Sequence, residues 1–182
     1  MVDDNDPIAA LRAQAKTSGW LMRVEDALEF DHPPLNQLRD IWREKAALRG
    51  SLPERSDFDA RTLKPFLRHL TIVERVPDAE GRSHFRFRLQ GTLLAQYFGD
   101  QTGKFLEASI PPGIIEAWNI GYDALLAGRR PVRVLNVYEI PNAEFLSGES
   151  FAVPLGNGAD PPNSVLTATF FRPRDTSLMK AG

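Results

Sequence analysis

The residues of this chain that could do chemistry are few and scattered. Its three histidines are His32, His69 and His84, and no two of them stand at i, i+4 or in an H-x-E arrangement. With no cysteine present, a zinc centre of imidazole and thiolate ligands has no donor set. His69 and His84 fall in or beside neighbouring predicted strands and are expected to approach one another as ordinary sheet-face residues. Asp57 and Asp59 are the nearest thing to a paired carboxylate, but acid-base work needs two groups in different environments, one with a raised pKa. Arg55 lies two residues from Asp57, and Asp59 heads a short helix, so both are expected to be ionised and structural. The serines form no G-x-S-x-G elbow. The glycines of GNGADPP lack the lysine and the strand-loop-helix context of a phosphate loop. No catalytic residue is assigned, no metal site is expected, and the chain reads as a non-enzyme.

Basic residues point no more strongly to a ligand. Arg86 and Arg88 lie on the polar side of a predicted strand, where a solvated or partner-covered face is the ordinary fate. Arg129 and Arg130 follow a helix C-terminus, which favours cations by itself. The interleaved HFRFR could stack single-stranded nucleic acid. Its phenylalanines are expected to face the core, however, and the formal net charge is -2, so no nucleic-acid partner is expected.

The bulk composition of the 182 residues, 42% hydrophobic and 25% charged, is that of an ordinary globular domain with extensions. The absence of cysteine excludes disulfides, cysteine nucleophiles and cysteinyl-flavin photochemistry. The opening MVDDNDP is acidic where a secretion signal would be basic, and no run reaches the length of a membrane span. A cytoplasmic location is expected.

The elements that must position these residues can be read in order. Asp6-Pro7 is an N-cap followed by a preset first turn, and Ile8, Leu11 and Ala15 share the buried face up to Ser18-Gly19. Trp20, Leu21, Val24 and Leu28 predict a second helix ending before Pro33-Pro34; with the first it forms a helical extension over residues 1–34, a candidate dimer surface. A longer helix is predicted over Leu35–Leu48, with Leu35, Leu38, Ile41, Trp42 and Leu48 inward and Gly50 as its stop. Asp59 caps a short helix carrying Leu63, which Pro65 limits. Alternation predicts a strand over residues 70–75 and another over 85–89, the latter followed by Gly91 and a short helix with Thr92 as N-cap and Gly99 at its end. Pro111-Pro112-Gly113 introduce a helix that buries Ile115, Trp118, Tyr122, Leu125 and Leu126 and stops at Gly128. Three strands follow, over 132–138, 145–155 and 165–171. Two strands, a group of helices and three strands make an α+β domain: a five-stranded antiparallel sheet with helices on one face.

That order, together with particular residues, resembles the PAS fold and, more narrowly, a small bacterial PAS-domain family long listed as of unknown function. The carrying motifs are a tryptophan-bearing helix (Trp42), P-x-R-x-D-x-D (Pro53, Arg55, Asp57, Asp59), a strand ending R-L-x-G-T (Arg88, Leu89, Gly91, Thr92) and a G-x-x-x-T-G step (Gly99, Thr102, Gly103). Ala60 departs from the proline common after the second aspartate. The resemblance covers residues 35–171; the PAS-like domain is placed at 35–172, after the extension and before a tail at 173–182. It implies a sensory or regulatory module that dimerises, holds a small molecule, or relays a signal to another protein. The chain leaves no room for a second domain after Phe171, so output is expected through an unidentified protein partner. Haem-sensing PAS domains usually carry their histidine on the helix after the second strand, and residues 92–128 contain none, which argues against haem. The cofactor is otherwise unknown.

If a pocket exists, it is expected between the sheet and the helices of residues 92–127. Its apolar walls would be Phe87, Leu89, Tyr97, Phe98 and Trp118, with Phe105, Val134 and Phe170 around them. Tyr122, Asn136 and Thr169, and Gln90 beside them, are the polar groups able to orient a ligand there. The leading reading is a stand-alone, homodimeric PAS-like sensory or regulatory domain acting through protein contacts, with or without a small apolar ligand. The alternatives are a cavity enzyme, which would need His69, His84 or Tyr122 beside a carboxylate in a pocket, and a purely structural dimerisation module.

Overall fold

The computed structural model describes residues 6–138, 146–156, 158 and 161–173. Helix α1 (Pro7–Thr17) begins where Asp6 Oδ1 accepts the Ile8 amide at 3.0 Å. Arg130 clamps the same carboxylate through both terminal nitrogens, at 2.9 and 2.6 Å. Ile8, Leu11 and Ala15 are buried, as expected.

The expected second helix is instead a strand, β1 (Met22–Glu25). The apolar residues at 20, 21, 24 and 28 satisfy a helical period, yet Val24 lies opposite Val134 on an antiparallel partner, while Leu28 belongs to a different core. The chain passes round the sheet edge and buries the two residues on opposite sides. Pro33 and Pro34 open helix α2 (Pro33–Arg49) rather than close what precedes it, because a proline ring suits the first turn of a helix. Gly50 ends α2 in the left-handed conformation at φ 71°. Leu35 and Leu38 are buried, but Leu48 is 76% exposed, a correction to its expected inward face.

The P-x-R-x-D-x-D segment fastens the end of α2. Asp57 accepts Arg49 Nε and Nη2 at 2.6 and 2.8 Å and the Glu54 amide at 2.7 Å. Asp59 caps α3 (Ala60–Leu63) by accepting the Thr62 amide at 2.6 Å. The Arg49 guanidinium holds the Asp57 carboxyl below its ordinary range, and the Thr62 amide does the same for Asp59. Both aspartates are ionised fasteners.

Strands β2 (Leu70–Pro77) and β3 (Ser83–Gln90) form a hairpin, followed by α4 (Thr92–Phe98), α5 (Pro112–Gly128), β4 (Val132–Tyr138), β5 (Leu146–Leu155) and β6 (Ser164–Pro173). Gly91, not Thr92, occupies the N-cap of α4. Gly99 has positive φ but extended ψ (74°, 160°), so it redirects the chain without a left-handed helix cap. Arg129 rather than Gly128 takes the left-handed position after α5. Gly128 serves packing instead: a Cβ there would lie 2.9 Å from Ile8 Cγ1.

The sheet has six antiparallel strands in the order β1-β4-β5-β6-β2-β3, one more than expected because β1 joins its edge. The α+β class and the order of the other five are as read from the sequence, but helices cover both faces. On the inner face α1 and α5 bury Phe85, Phe87, Tyr122, Val132 and Val165. On the outer face α2, α3 and their connections bury Leu35, Phe66, Phe151, Leu166 and Ala168. Alternation along β5 feeds both layers, Ala152 to the inner and Phe151 and Val153 to the outer. A β-bulge is the other departure. Ile72 lies opposite Leu89 but Val73 opposite Phe87, so Arg88 is the extra residue and Leu89 turns to the face opposite Phe87.

Among the described residues no helix is long and apolar enough to cross a membrane.

Candidate functional site

Alternation on β4, β5 and β6 brings a small polar cluster to the inner face, near the Tyr138–Leu146 end of the β4–β5 pair. Ser150 and Thr169 lie opposite one another, with their hydroxyls 2.8 Å apart. Asn136 Nδ2 donates to the Tyr138 hydroxyl at 3.1 Å. Burial pushes the Tyr138 phenol above its ordinary pKa despite the bond from Asn136, and burial does the same to Tyr122. Gly148 makes room for the ring, since a Cβ there would stand 2.6 Å from Tyr138 Cε2. Asn136 Oδ1 is buried with no hydrogen-bond partner among the described residues. An orphaned carbonyl of this kind costs about 1–3 kcal/mol.

Aromatic rings close over the cluster. Phe98 of α4 and Phe171 of β6 each stand 5.5 Å from the Tyr138 ring, and Tyr97 packs edge-on against Phe171 at 5.1 Å. The residues expected to share one pocket therefore separate into groups. Phe98, Asn136 and Thr169 come together, with Tyr97 half-exposed at the rim. Phe87, Trp118 and Tyr122 lie in the inner core, Trp118 5.9 Å from the Tyr122 ring. Leu89 is on the outer face because of the bulge, and Phe170 is there too. Phe105 is 41% exposed beside β3, to which Arg86 bridges it. Gln90 is occupied in tying down the chain after α4, its Oε1 accepting the Gln101 amide at 2.7 Å. Sequence reasoning missed Tyr138, Ser150 and Phe171. The signal for Ser150 was a hydroxyl opposite Thr169 in otherwise apolar strands.

The outer face carries a buried charge that the sequence reading passed over. Glu149 has no exposed surface. It accepts the Asp31 and His32 amides at 3.0 Å each, His32 Nδ1 at 2.7 Å and Arg133 Nε at 2.7 Å. Burial alone would raise its pKa; the hydrogen bonds from His32, from the two amides and from Arg133 outweigh burial and hold it below the ordinary value. Glu149 thus fastens the start of α2 to the middle of the sheet. His69 stacks on Phe170 at 3.8 Å, His32 lies 5.6 Å away from the same ring, and His69 Nδ1 donates to the Thr169 carbonyl at 3.0 Å. Burial lowers the His69 pKa.

His69 does not approach His84, which lies opposite Val76 at the far end of the hairpin. His84 Nδ1 meets Glu107 Oε1 at 2.9 Å and Nε2 meets Asp78 Oδ2 at 3.1 Å. Carboxylates only accept, so both ring nitrogens donate and the ring is an imidazolium. The Glu107 hydrogen bond, then that to Asp78, raises its pKa. An NMR titration is expected to place His84 above the usual 6.5 and Glu107→Gln to bring it down; a wild-type value at or below 6.5 would contradict the paired geometry. Among the described residues His84 pairs with Asp78 and Glu107 at a partly exposed site, while His69 meets a backbone carbonyl and an aromatic ring, and Tyr122 meets aromatic rings.

The fold and the cluster can now be set beside known proteins. The PAS domain family model matches residues 30–106, from the approach to α2 through the hairpin and α4. No curated protein matches the chain. Among solved structures the chain is similar to one described as an RNA-binding Light-Oxygen-Voltage receptor, at 15% identity and a TM-score of 0.38, over 72% of this chain and 38% of that one. The chain thus spans well under half of that receptor's length. Residues 30–106 thus match the PAS domain family across α2, the β2–β3 hairpin and α4, and four further antiparallel strands, β1, β4, β5 and β6, complete the sheet.

Proposed function

We propose that this PAS domain is a sensor whose input is a small molecule with an apolar body and a polar edge, held on the inner face at Asn136, Tyr138, Ser150 and Thr169, and whose output is contact with a partner protein. The observation that carries this reading is the orphaned Asn136 Oδ1 among hydroxyls in an aromatic shell. A fold gains nothing by burying an unpaired carbonyl, whereas a ligand donor would satisfy it. The ligand enters by displacing Tyr97 and Phe98 on α4, a seven-residue helix with no side-chain cap.

Asn136→Val separates this role from a structural one. It removes both the orphan and the bond to Tyr138, so the ligand-free protein is expected to keep its stability within about 1 kcal/mol or to gain, while binding is lost. A loss of stability well beyond that, measured by urea unfolding, would assign Asn136 to the fold.

The expected homodimer enters this reading with one restriction. Ile8, Leu11, Ala15 and Val24 are spent inside the chain's own core, so a dimer has to use other residues of the N-terminal segment. Sedimentation of the intact chain and of Leu21→Glu, a change at an exposed residue of that segment, tests it: a dimer that the substitution weakens is expected, and a monomer at every concentration would remove the dimer from the reading.

A further inference from the structure

We infer that a groove on the outer face is a docking site for an extended segment of a partner protein that sets an aliphatic side chain beside an acidic one. This deepens, and rests on, the reading that the domain signals through protein contact. The groove, about 660 Å³ in volume, lies where the loop after α2 meets the β2–β3 hairpin, with partly exposed Leu89 at its surface and the buried Ile72 and Leu155 beneath it.

The bulge makes this groove. It costs β3 a regular ladder pair and turns Leu89 away from the inner core to lie partly exposed. It also leaves Arg88 on the rim, 66% exposed. The charges there do not cancel. Glu74 is bonded by Arg86, at 2.9 Å from Nε and more closely from Nη2. Glu54 and Asp57 share Arg49, and Arg55 gives one nitrogen to the Phe58 carbonyl at 2.8 Å. Among the described residues Arg88 has only Glu74, at 3.9 Å, beyond hydrogen-bond range and already committed to Arg86. An apolar floor under a rim with a spare guanidinium is complementary to an aliphatic side chain next to a carboxylate. The open shape favours a chain segment over a small molecule, because small ligands are held where 70–90% of their surface is buried (an order-of-magnitude guide).

The test is fluorescence anisotropy of the intact protein with a labelled peptide of alternating leucine and glutamate. Saturable binding is expected, weakened about tenfold or more by Arg88→Glu, retained in Arg88→Lys, and falling steeply between about 50 and about 500 mM salt. Arg88 is exposed, so neither variant threatens folding. Equal affinity for wild type and Arg88→Glu, or equal binding of a matched peptide of alternating leucine and lysine, overturns the proposal. So does full displacement by octanoate at equal molar strength, which would assign the groove to small carboxylates. A dimer that Arg88→Glu dissociates also overturns it, in favour of a second copy of the chain. Small-molecule content at the inner site is scored on the same samples. Failure of the peptide with that content intact rejects the groove alone, while loss of both rejects the sensor reading as well.

Discussion

Glu149→Ala is expected to cost about 3–5 kcal/mol of stability, because breaking a buried ion pair by removing one partner leaves the other uncompensated. Arg133 would keep Glu25 at 3.1 Å and Asp31 at 3.2 Å, so it is not wholly stranded. The Asp31 and His32 amides and His32 Nδ1 lose the carboxylate that each of them donates to. The damage therefore concentrates where α2 joins the sheet. Hydrogen exchange is expected to show α2 opening before the inner core, which keeps α1 and α5. The same carboxylate sets an acid limit. Its folded pKa lies below the ordinary 4.5, so its contribution is complete above that pH and is lost as the pH falls through the lower folded value. Urea unfolding followed from pH 7 to pH 3 should show this loss in the wild type and a shallower slope in Glu149→Gln. Identical slopes would mean that the carboxylate is not held as described.

The second large effect is steric. Gly91 has φ -68° and ψ 151°, angles open to any residue, so its need for glycine lies in its neighbours. A Cβ there would stand 2.3 Å from the Leu67 carbonyl oxygen and 2.5 Å from the Arg68 carbonyl carbon and oxygen. The Gly91 amide donates to the Leu70 carbonyl at 2.7 Å, so the backbone cannot retreat without losing that bond. Gly91→Ala is expected to destabilise by about 3 kcal/mol or more, at or beyond the upper end of ordinary overpacking, since main chain is what must move. Gly121→Ala is the matched control. It sits within α5 with nothing inside 4 Å of the added carbon, and should gain up to about 1 kcal/mol from helix propensity. Equal effects at the two positions, measured by chemical denaturation, would contradict the close crossing at Gly91.

The contrast between these residues shows what the sequence made legible. The R-L-x-G-T motif marked Gly91 as special, but its reason, a backbone crossing with residues 67–68, is a contact between segments that no local pattern records. The N-caps Asp6 and Asp59 were readable because they are local and perform the roles their spacing implied, whereas the ends of α4 and α5 fall one residue away from, or in another conformation than, the residues read for them. The strand at Met22–Glu25 was not, because two apolar residues four apart fit a helix, and only pairing with β4 selects the extended form. Leu89 and Phe87 were assigned to one face by strict alternation, which holds until a bulge adds a residue. Asn136 and Thr169 were visible as polar residues in apolar strands. Glu149 carried the same signal more loudly, a charge within FLSGESFAVPL, but its partners His32 and Arg133 lie far away in sequence, so its burial could not be foreseen.

The central claim is that the inner polar cluster holds a small molecule. Native mass spectrometry of the protein purified from cells, followed by denaturing extraction, tests it most directly. The wild type is expected to carry one small molecule per chain, released on denaturation and missing from Asn136→Val and Thr169→Val, which stay folded. A wild type with only the mass of the bare chain, or variants that keep the same bound molecule, would contradict it.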